Sequence, residues 1–119
     1  MSVDATVLRK KITEVALANP DQRYAPVGGM CRYTEEDGSP GCLVGTALAE
    51  LDAGLDYDNP WNEGSDVHDL AMGGYITGDP QDVDWAFKAQ THQDAMVTWG
   101  TAVALADTAY PDDEEGADE

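Results

Sequence analysis

The chain has 119 residues, which is the length of one ordinary domain and enough to bury a core without a disulfide framework or a structural metal. Hydrophobic residues make up 42% of the sequence, so we expect a folded chain despite its formal net charge of −18. That charge disfavours direct binding to nucleic acid and to anionic membrane, because both are themselves negatively charged.

The N-terminus, Met1 to Asp4, has neither the basic start nor the apolar run of a secretory signal peptide. No apolar stretch approaches the roughly 20 residues that span a bilayer. We therefore expect a cytoplasmic protein, in which Cys31 and Cys42 are thiols rather than a disulfide.

The first helix is predicted over about residues 4–18, because apolar residues recur there at steps of three and four. Ser2 or Asp4 is a suitable N-cap for it. Arg9 is expected on the outer, solvated face of this helix. Together with the elements that follow, this helix indicates an α+β fold dominated by helices, with three to four in all.

A small β-hairpin is predicted over about residues 30–44, because Asp37-Gly38 is a strong turn signal between two short runs. Its second arm leads into a helix over about residues 43–52. A short third helix is expected over about residues 66–72, where a capping residue precedes it and two glycines follow it.

The clearest helix start in the sequence is Asp79-Pro80, because aspartate is a favourable N-cap and proline fits the first helical position. The apolar stripe that follows predicts one long helix over about residues 80–108. The stripe includes His92, which we expect to be a hydrogen-bonded core residue. Gly100 is the position at which this helix would bend.

The end of the chain, residues 110–119, is strongly acidic and has no core-forming side chain. We expect it to be a disordered tail. Residues 1–109 are then expected to form a single compact domain.

The negative charge is concentrated in the second part of the chain. Residues 1–49 carry six acidic and five basic residues, whereas residues 50–119 carry eighteen acidic residues and one lysine. Such a field favours basic partners, in particular protein surfaces that themselves bind nucleic acid. The same composition is typical of a GC-rich genome or a saline host, and it maintains solubility, so these explanations stay open beside a functional one.

Two cysteines and two histidines are residue types that could form a zinc site or a thiol enzyme. Neither Cys31 nor Cys42 belongs to a CxxC motif, and His68 and His92 lie 24 positions apart, so the spacing argues against zinc. A Cys–His enzyme also needs an oxyanion hole and an orienting group, which no motif supplies. We expect no cofactor and no catalytic residue. A small thiol or metal protein that uses these four residues, with the two cysteines as a thiol pair, is the alternative.

An acidic, aromatic loop over residues 55–65 and the start of the following helix form the candidate partner-binding surface. Trp61 is the best candidate for an exposed aromatic anchor, although it could equally pack onto the core. The loop is similar to half of a calcium-binding loop but lacks the obligatory glycine and the bidentate glutamate. The candidate partner-binding residues are Asp56, Asp58, Trp61, Glu63, Asp66 and Asp69.

Two blocks of the sequence, about half of the chain, resemble uncharacterised small acidic proteins of actinobacteria and their phages. The resemblance rests on the motifs Cys31-Arg-Tyr, Asp37-Gly-Ser-Pro-Gly-Cys-Leu-Val-Gly45 and Thr98-Trp99-Gly100. It implies no activity and no catalytic residues. It implies a phage-encoded protein that acts in the host cytoplasm. Those proteins often have a glycine before the Trp-Gly pair, whereas this chain has Met96-Val97, which favours an uninterrupted helix.

We therefore expect a non-enzymatic protein-binding module that presents an acidic surface to a basic host or phage protein. DNA mimicry is a narrower form of this hypothesis, because a mimic needs acids in ordered rows and few acids lie on the long helix. A structural or assembly component that uses an exposed part of the stripe from Trp85 to Val103 is a further alternative.

Overall fold

The computed structural model describes residues 2–24, 32–62 and 65–111. Within these residues the chain is α+β and dominated by helices, as the sequence predicts. A two-stranded parallel sheet pairs β1 (Val3–Asp4) with β2 (Ile76–Thr77), Val3 lying opposite Ile76. The described helices are α1 (Ala5–Ala18), α2 (Leu43–Glu50), α3 (Val67–Met72), α4 (Pro80–Asp94) and α5 (Trp99–Ala109).

The core forms around α1, which packs against α2, α4 and α5. Leu8 and Ile12 of α1 are fully buried, and so is Trp85 of α4. Each such side chain stabilises the fold by about 1.5–3 kcal/mol through removal of apolar surface from water. None of the described helices is both long and apolar enough to cross a membrane.

Helix starts agree with their local sequence signals. Asp4 caps α1 by accepting hydrogen bonds from the N–H groups of Thr6 and Val7. Asp79 caps α4 through the N–H of Gln81, with Pro80 at the first helical position. These bonds satisfy N–H groups that have no partner within a helix.

Two buried glutamines of α4 fix the starts of two other helices. Gln93 Oε1 accepts a hydrogen bond of 2.8 Å from the N–H of Leu43, the first residue of α2. Gln90 Oε1 accepts one of 2.8 Å from the N–H of Val67, the first residue of α3, while its Nε2 donates to the hydroxyl of Tyr33. Since α2 and α3 both begin against α4, this helix organises that side of the molecule.

The prediction of one long helix over residues 80–108 is wrong, because α4 and α5 are separate helices. Between them Met96 has a φ of 72°, in the left-handed region that favours glycine. The first N–H groups of α5 bind the turn after α1 instead of continuing α4: Trp99 N donates to Gln22 O at 2.8 Å, and Gly100 N to Pro20 O at 3.1 Å. Packing against α1 therefore outweighs the helical periodicity.

The break changes which residues lie in the core. His92, which is predicted as a core residue, is only half-buried, and Met96, which lies on the same stripe one turn later, is exposed. Trp85, Trp99 and Val103 are buried as predicted.

The predicted hairpin over residues 30–44 is reduced to one antiparallel bridge between Thr34 and Pro40 in the described part of that segment. The turn between them forms at Asp37-Gly38 as predicted, with Gly38 at a φ of 88°. Pro40 has no N–H to donate, and beyond it the N–H groups of Gly41 and Cys42 donate to Tyr33 O and Arg32 O at 3.0 Å without forming a regular ladder.

Arg9 is buried, at 7% exposure, rather than solvated as its sequence position suggests. Its guanidinium bonds Asp82 Oδ1 at 3.0 Å and the carbonyl of Tyr110 at 2.7 Å, and it lies 4.9 Å from the ring centroid of Trp85. Asp107 Oδ1 lies 3.7 Å from Arg9 Nη2 and accepts a hydrogen bond from Trp85 Nε1 at 2.8 Å. We call these five residues the Arg9 junction; it joins α1, α4 and α5.

The predicted acidic tail begins within the folded structure. Tyr110 binds Arg9 through its carbonyl, and the carbonyl of Pro111 accepts a hydrogen bond of 3.1 Å from Gln81 Nε2. The rest of the tail lies outside the described residues, so its disorder stays a prediction.

Candidate binding surface

The segment after α2 turns sharply and brings an acidic residue to the surface. Asp52 follows the C-cap of α2 and has a φ of 57°. Its N–H donates to Ala49 O, and the N–H of Ala53 donates to Leu48 O, which is the hydrogen-bond pattern of a Schellman motif. Glycine is the usual residue at such a position, because the left-handed backbone conformation strains any residue that has a side chain.

The side chain of Asn62, which is 1% exposed, joins the segment at Tyr57 to the loop at Thr34. Its Nδ2 donates to the carbonyls of Thr34 and Tyr57 at 2.9 and 3.0 Å, and its Oδ1 accepts from the N–H of Thr34 at 2.8 Å. The hydroxyl of Thr34 donates to the carbonyl of Leu55. These bonds fix two loops beside each other.

A groove of about 390 Å³ lies between these loops. Its acidic members, Asp52 and Asp56, are exposed. Tyr57 is 40% exposed, and the guanidinium carbon of Arg32 lies 5.9 Å from the centroid of its ring. We call this the acidic groove; its lining residues are Thr34, Gly38, Pro40, Ala49, Asp52, Gly54, Leu55, Asp56 and Tyr57.

The turn at one side of the groove contains a further carboxylate. Asp37 Oδ1 accepts hydrogen bonds from the hydroxyl of Ser39 at 2.6 Å and from its N–H at 3.0 Å. These bonds, chiefly that of the hydroxyl, lower the pKa of Asp37 below its ordinary value. Asp37 therefore stays ionised at a lower pH than a free aspartate.

The candidate partner-binding residues do not form one surface. Asp56 and Asp58 are both exposed, but only Asp56 lines the groove. Asp66 and Asp69 bind each other's backbone N–H groups at 2.9 Å and form the capping box of α3. Glu63 lies outside the described residues.

Trp61 packs onto the protein rather than projecting as an anchor. It is half-buried against the core, and its ring centroid lies 6.2 Å from that of Tyr75. Of the two alternatives that the sequence leaves open, the structure therefore shows the packed one. Tyr57 is the exposed aromatic of this region instead.

Sequence reasoning did not select Asp52, Tyr57 or Pro40. A signal for Asp52 exists, because an acid stands at the end of the predicted helix over residues 43–52, two residues before Gly54. The groove as a whole has no such signal, because it depends on the bonds between Asn62 and Thr34.

The candidate thiol and metal residues are separate from the groove. Cys42 is fully buried and caps α2, with its Sγ 3.4 Å from the N–H of Gly45. His68 Nε2 lies 2.8 Å from Asp84 Oδ1, and its ring stacks on Phe87. Across the described ranges, no three His, Cys, Asp or Glu side chains could hold a metal ion together. Cys31 lies outside these ranges, so the thiol pair stays a prediction.

The basic residues, six against 24 acidic ones, are used mainly within the fold. Arg9 belongs to the buried junction. Lys11 Nζ bonds Glu14 at 3.0 Å and lies 3.6 Å from Glu50, and the hydrogen bond and charge of Glu14 raise the pKa of this lysine. Arg23 donates to the carbonyl of Met96. Arg32 lies beside the groove, with its guanidinium carbon 5.9 Å from the ring centroid of Tyr57.

No protein-family model matches the chain, and comparison with curated proteins and with solved structures finds no match to it.

Proposed function

We propose that the protein is a non-enzymatic binding module that presents an acidic surface to a basic protein. The observation that carries the proposal is the separation of charges in the fold. The cations Arg9 and Lys11 bind acids of their own chain, whereas the carboxylates of Asp52 and Asp56 are exposed and have no hydrogen-bond or ion-pair partner among the described residues. An uncompensated acidic surface attracts cationic proteins and raises their association rates.

The resemblance to small acidic proteins of actinobacteria and their phages supports a phage-encoded protein that acts in the host cytoplasm. Basic proteins that bind nucleic acid are the class of partner that such a charge would select. The net charge of −18 opposes direct binding to nucleic acid and to anionic membranes.

DNA mimicry has less support than general binding of a basic protein. The helical acids would have to form rows of free carboxylates at the spacing of phosphates. Three of them are engaged within the protein: Asp82 with Arg9, Asp84 with His68 and Asp107 with Trp85.

The other two hypotheses also have less support from the geometry. A thiol or metal function would use Cys42, which is buried, or His68, which already binds Asp84. An assembly role would use the stripe from Trp85 to Val103, but Trp85, Trp99 and Val103 are buried in the protein's own core, which leaves Met96 exposed and His92 half-buried.

Binding to a lysine- and arginine-rich DNA-binding protein at about 0.1 M and about 1 M salt tests the proposal. The screening length falls from about 10 Å to about 3 Å between these conditions, so we expect binding at the lower salt and a large loss at the higher. An acidic protein of similar size is the control partner. Equal retention of the basic and the acidic partner at 0.1 M salt would refute the proposal.

A further inference from the structure

We propose that two copies of the chain exchange α5, so that α4 and α5 of each copy join into one helix over residues 80–109. The inference goes beyond the proposed function and names a second copy of this chain as a partner. The four residues 95–98, which connect the two helices, straighten in this exchange. We call them the α4–α5 hinge. Exchange of an identical element between copies is a known route to dimers.

The sequence of the hinge favours a continuous helix. Its residues, Ala-Met-Val-Thr, include neither glycine nor proline, so no residue of the hinge is a helix breaker. The apolar stripe from Trp85 to Val103 also runs through it at helical spacing. Within one copy this preference is overridden, because the N–H groups of Trp99 and Gly100 bind the turn after α1. A continuous helix gives those N–H groups partners in the hinge instead.

The closed turn between α4 and α5 has two unfavourable features. Met96 has a φ of 72°, a left-handed conformation in which a residue with a side chain is less stable than glycine. The indole Nε1 of Trp99, the first residue of α5, is buried and has no hydrogen-bond partner among the described residues. A buried donor without a partner disfavours the state that contains it. Straightening the hinge returns Met96 to a right-handed conformation and releases Trp99 from this turn.

The arrangement of α4 and α5 fits an exchange between two copies. Trp85 near the start of α4 bonds Asp107 near the end of α5, with 2.8 Å between Nε1 and Oδ1, so α5 runs back along α4. When the hinge straightens, α5 instead extends away from its own α4 in a helix of about 45 Å. A second copy, related by a two-fold axis at the hinge, then lays its α5 antiparallel on the vacated surface.

Exchange satisfies two preferences that conflict within one copy. The closed chain gains the packing of α5 on α1 and α4 but breaks the helical periodicity. The exchanged dimer keeps that packing, supplied by α5 of the other copy, and restores the continuous helix. The surface used is the one that α5 already covers, so no exposed apolar stripe is required. Ala95 and Met96 are exposed, so the hinge straightens without displacing core residues.

The first test refolds the full chain from denaturant at about 1 µM and at about 1 mM, because a dimer gains on the monomer as concentration rises. Light scattering after size-exclusion chromatography gives the mass of each species. We expect monomer at the lower concentration and a dimer at the higher one.

Mixed isotope labelling distinguishes exchange from ordinary association. Equal amounts of ¹⁵N-labelled and ¹³C-labelled chain are unfolded, mixed and refolded together at the higher concentration. We expect a nuclear Overhauser effect between the indole N–H of Trp85 on a ¹⁵N chain and the β protons of Asp107 on a ¹³C chain. Only an exchanged dimer brings these groups of different chains together, because two closed copies in contact keep the pair within one chain.

Variants of Met96 test the hinge itself. Met96→Gly suits the left-handed turn and weakens a helix through the hinge. We expect it to raise the dissociation constant of the dimer by at least about a hundredfold, because both hinges carry the change. Met96→Ala keeps the strain and the helical preference and should dimerise at least as tightly as the wild type. The control Met72→Gly makes the same change at an exposed residue of α3 and should alter the constant less than about twofold.

A wild-type chain that stays monomeric at the higher concentration, or a dimer without the effect between chains, would overturn the exchange. So would a Met96→Gly variant that dimerises as tightly as the wild type. Binding to a basic protein is measured separately. Its absence refutes the proposed function and leaves the exchange intact, whereas a protein that binds its partner but never exchanges α5 refutes only this inference.

Discussion

The Arg9 junction and the acidic groove use aspartate in opposite ways. In the junction, Asp82 has a side chain only 14% exposed and lies 3.0 Å from Arg9. In the groove, Asp52 and Asp56 are exposed, and no partner for their side chains lies among the described residues. The first arrangement joins three helices, whereas the second joins nothing within the fold. The comparison separates the acids that the structure bonds from those that it leaves exposed.

The sharpest test of this comparison is Arg9→Met, which keeps the apolar stem and removes the charge. We expect a loss of about 3–5 kcal/mol in the free energy of unfolding, because Asp82 would be left buried without its cation. Chemical denaturation measures it. The control Lys10→Met makes the same change at the exposed neighbouring residue and should cost less than about 0.5 kcal/mol.

Equal effects of Arg9→Met and Lys10→Met would remove the distinction between the two regions. The junction would then behave like surface ion pairs, whose contribution is about 0–1 kcal/mol.

The burial of Arg9 shows how far sequence reasoning reaches. The position has a local signal, because Arg9 lies four residues after Ala5 and three before Ile12, on the same helical face as both. Its partner Asp82, however, is 73 residues away in the sequence. A charged residue on an apolar face is therefore visible in the sequence, but the group that neutralises it is not.

Helix starts are predicted well because their signals are local. Asp79 and Pro80 mark the start of α4 through bonds and dihedral angles within one turn. The break at Met96 is not predicted, because its cause is the docking of α5 on Pro20 and Gln22. The candidate site follows the same division: Asp56 is predicted as an exposed acid, and the groove around it depends on contacts distant in sequence.

Asp107→Ala tests the edge of the junction, where burial is less complete. The side chain of Asp107 is 55% exposed, but it accepts the hydrogen bond of the buried Trp85 Nε1. We expect a loss of about 1–3 kcal/mol in the free energy of unfolding, because that donor would lose its partner. Asp107→Asn keeps an acceptor oxygen and should cost less than Asp107→Ala. A neutral Asp107→Ala variant would show that this bond adds nothing to the junction.

In the groove, we expect removal of an aspartate to raise the free energy of unfolding, which is the opposite of its effect in the junction. Asp52→Gly should raise the free energy of unfolding by about 0.5–1 kcal/mol, because glycine suits the left-handed backbone and the helix terminus loses an unfavourable charge. Asp58→Asn, on the same exposed segment, should change stability by less than about 0.5 kcal/mol. A destabilised Asp52→Gly protein would mean that the fold does use this carboxylate, contrary to the comparison.

The smallest expected effect concerns Asp37, a carboxylate at the side of the groove that is bound by its own turn. Ser39→Ala removes the hydroxyl that chiefly lowers its pKa, so we expect this pKa to rise toward the ordinary value of 3.8 while the N–H bond remains. NMR titration of the side-chain carboxyl carbon measures the shift, and Ser2→Ala is the control.

The pH dependence of stability follows from the direction of that shift. Because folding lowers the pKa of Asp37, its contribution to stability is present above the unfolded value near 3.8 and is lost as the pH falls through the folded value. Wild type and Ser39→Ala should therefore differ most above that window and converge in stronger acid. An unchanged Asp37 pKa in Ser39→Ala would show that the turn does not hold this carboxylate, which would then count with the free acids of the groove.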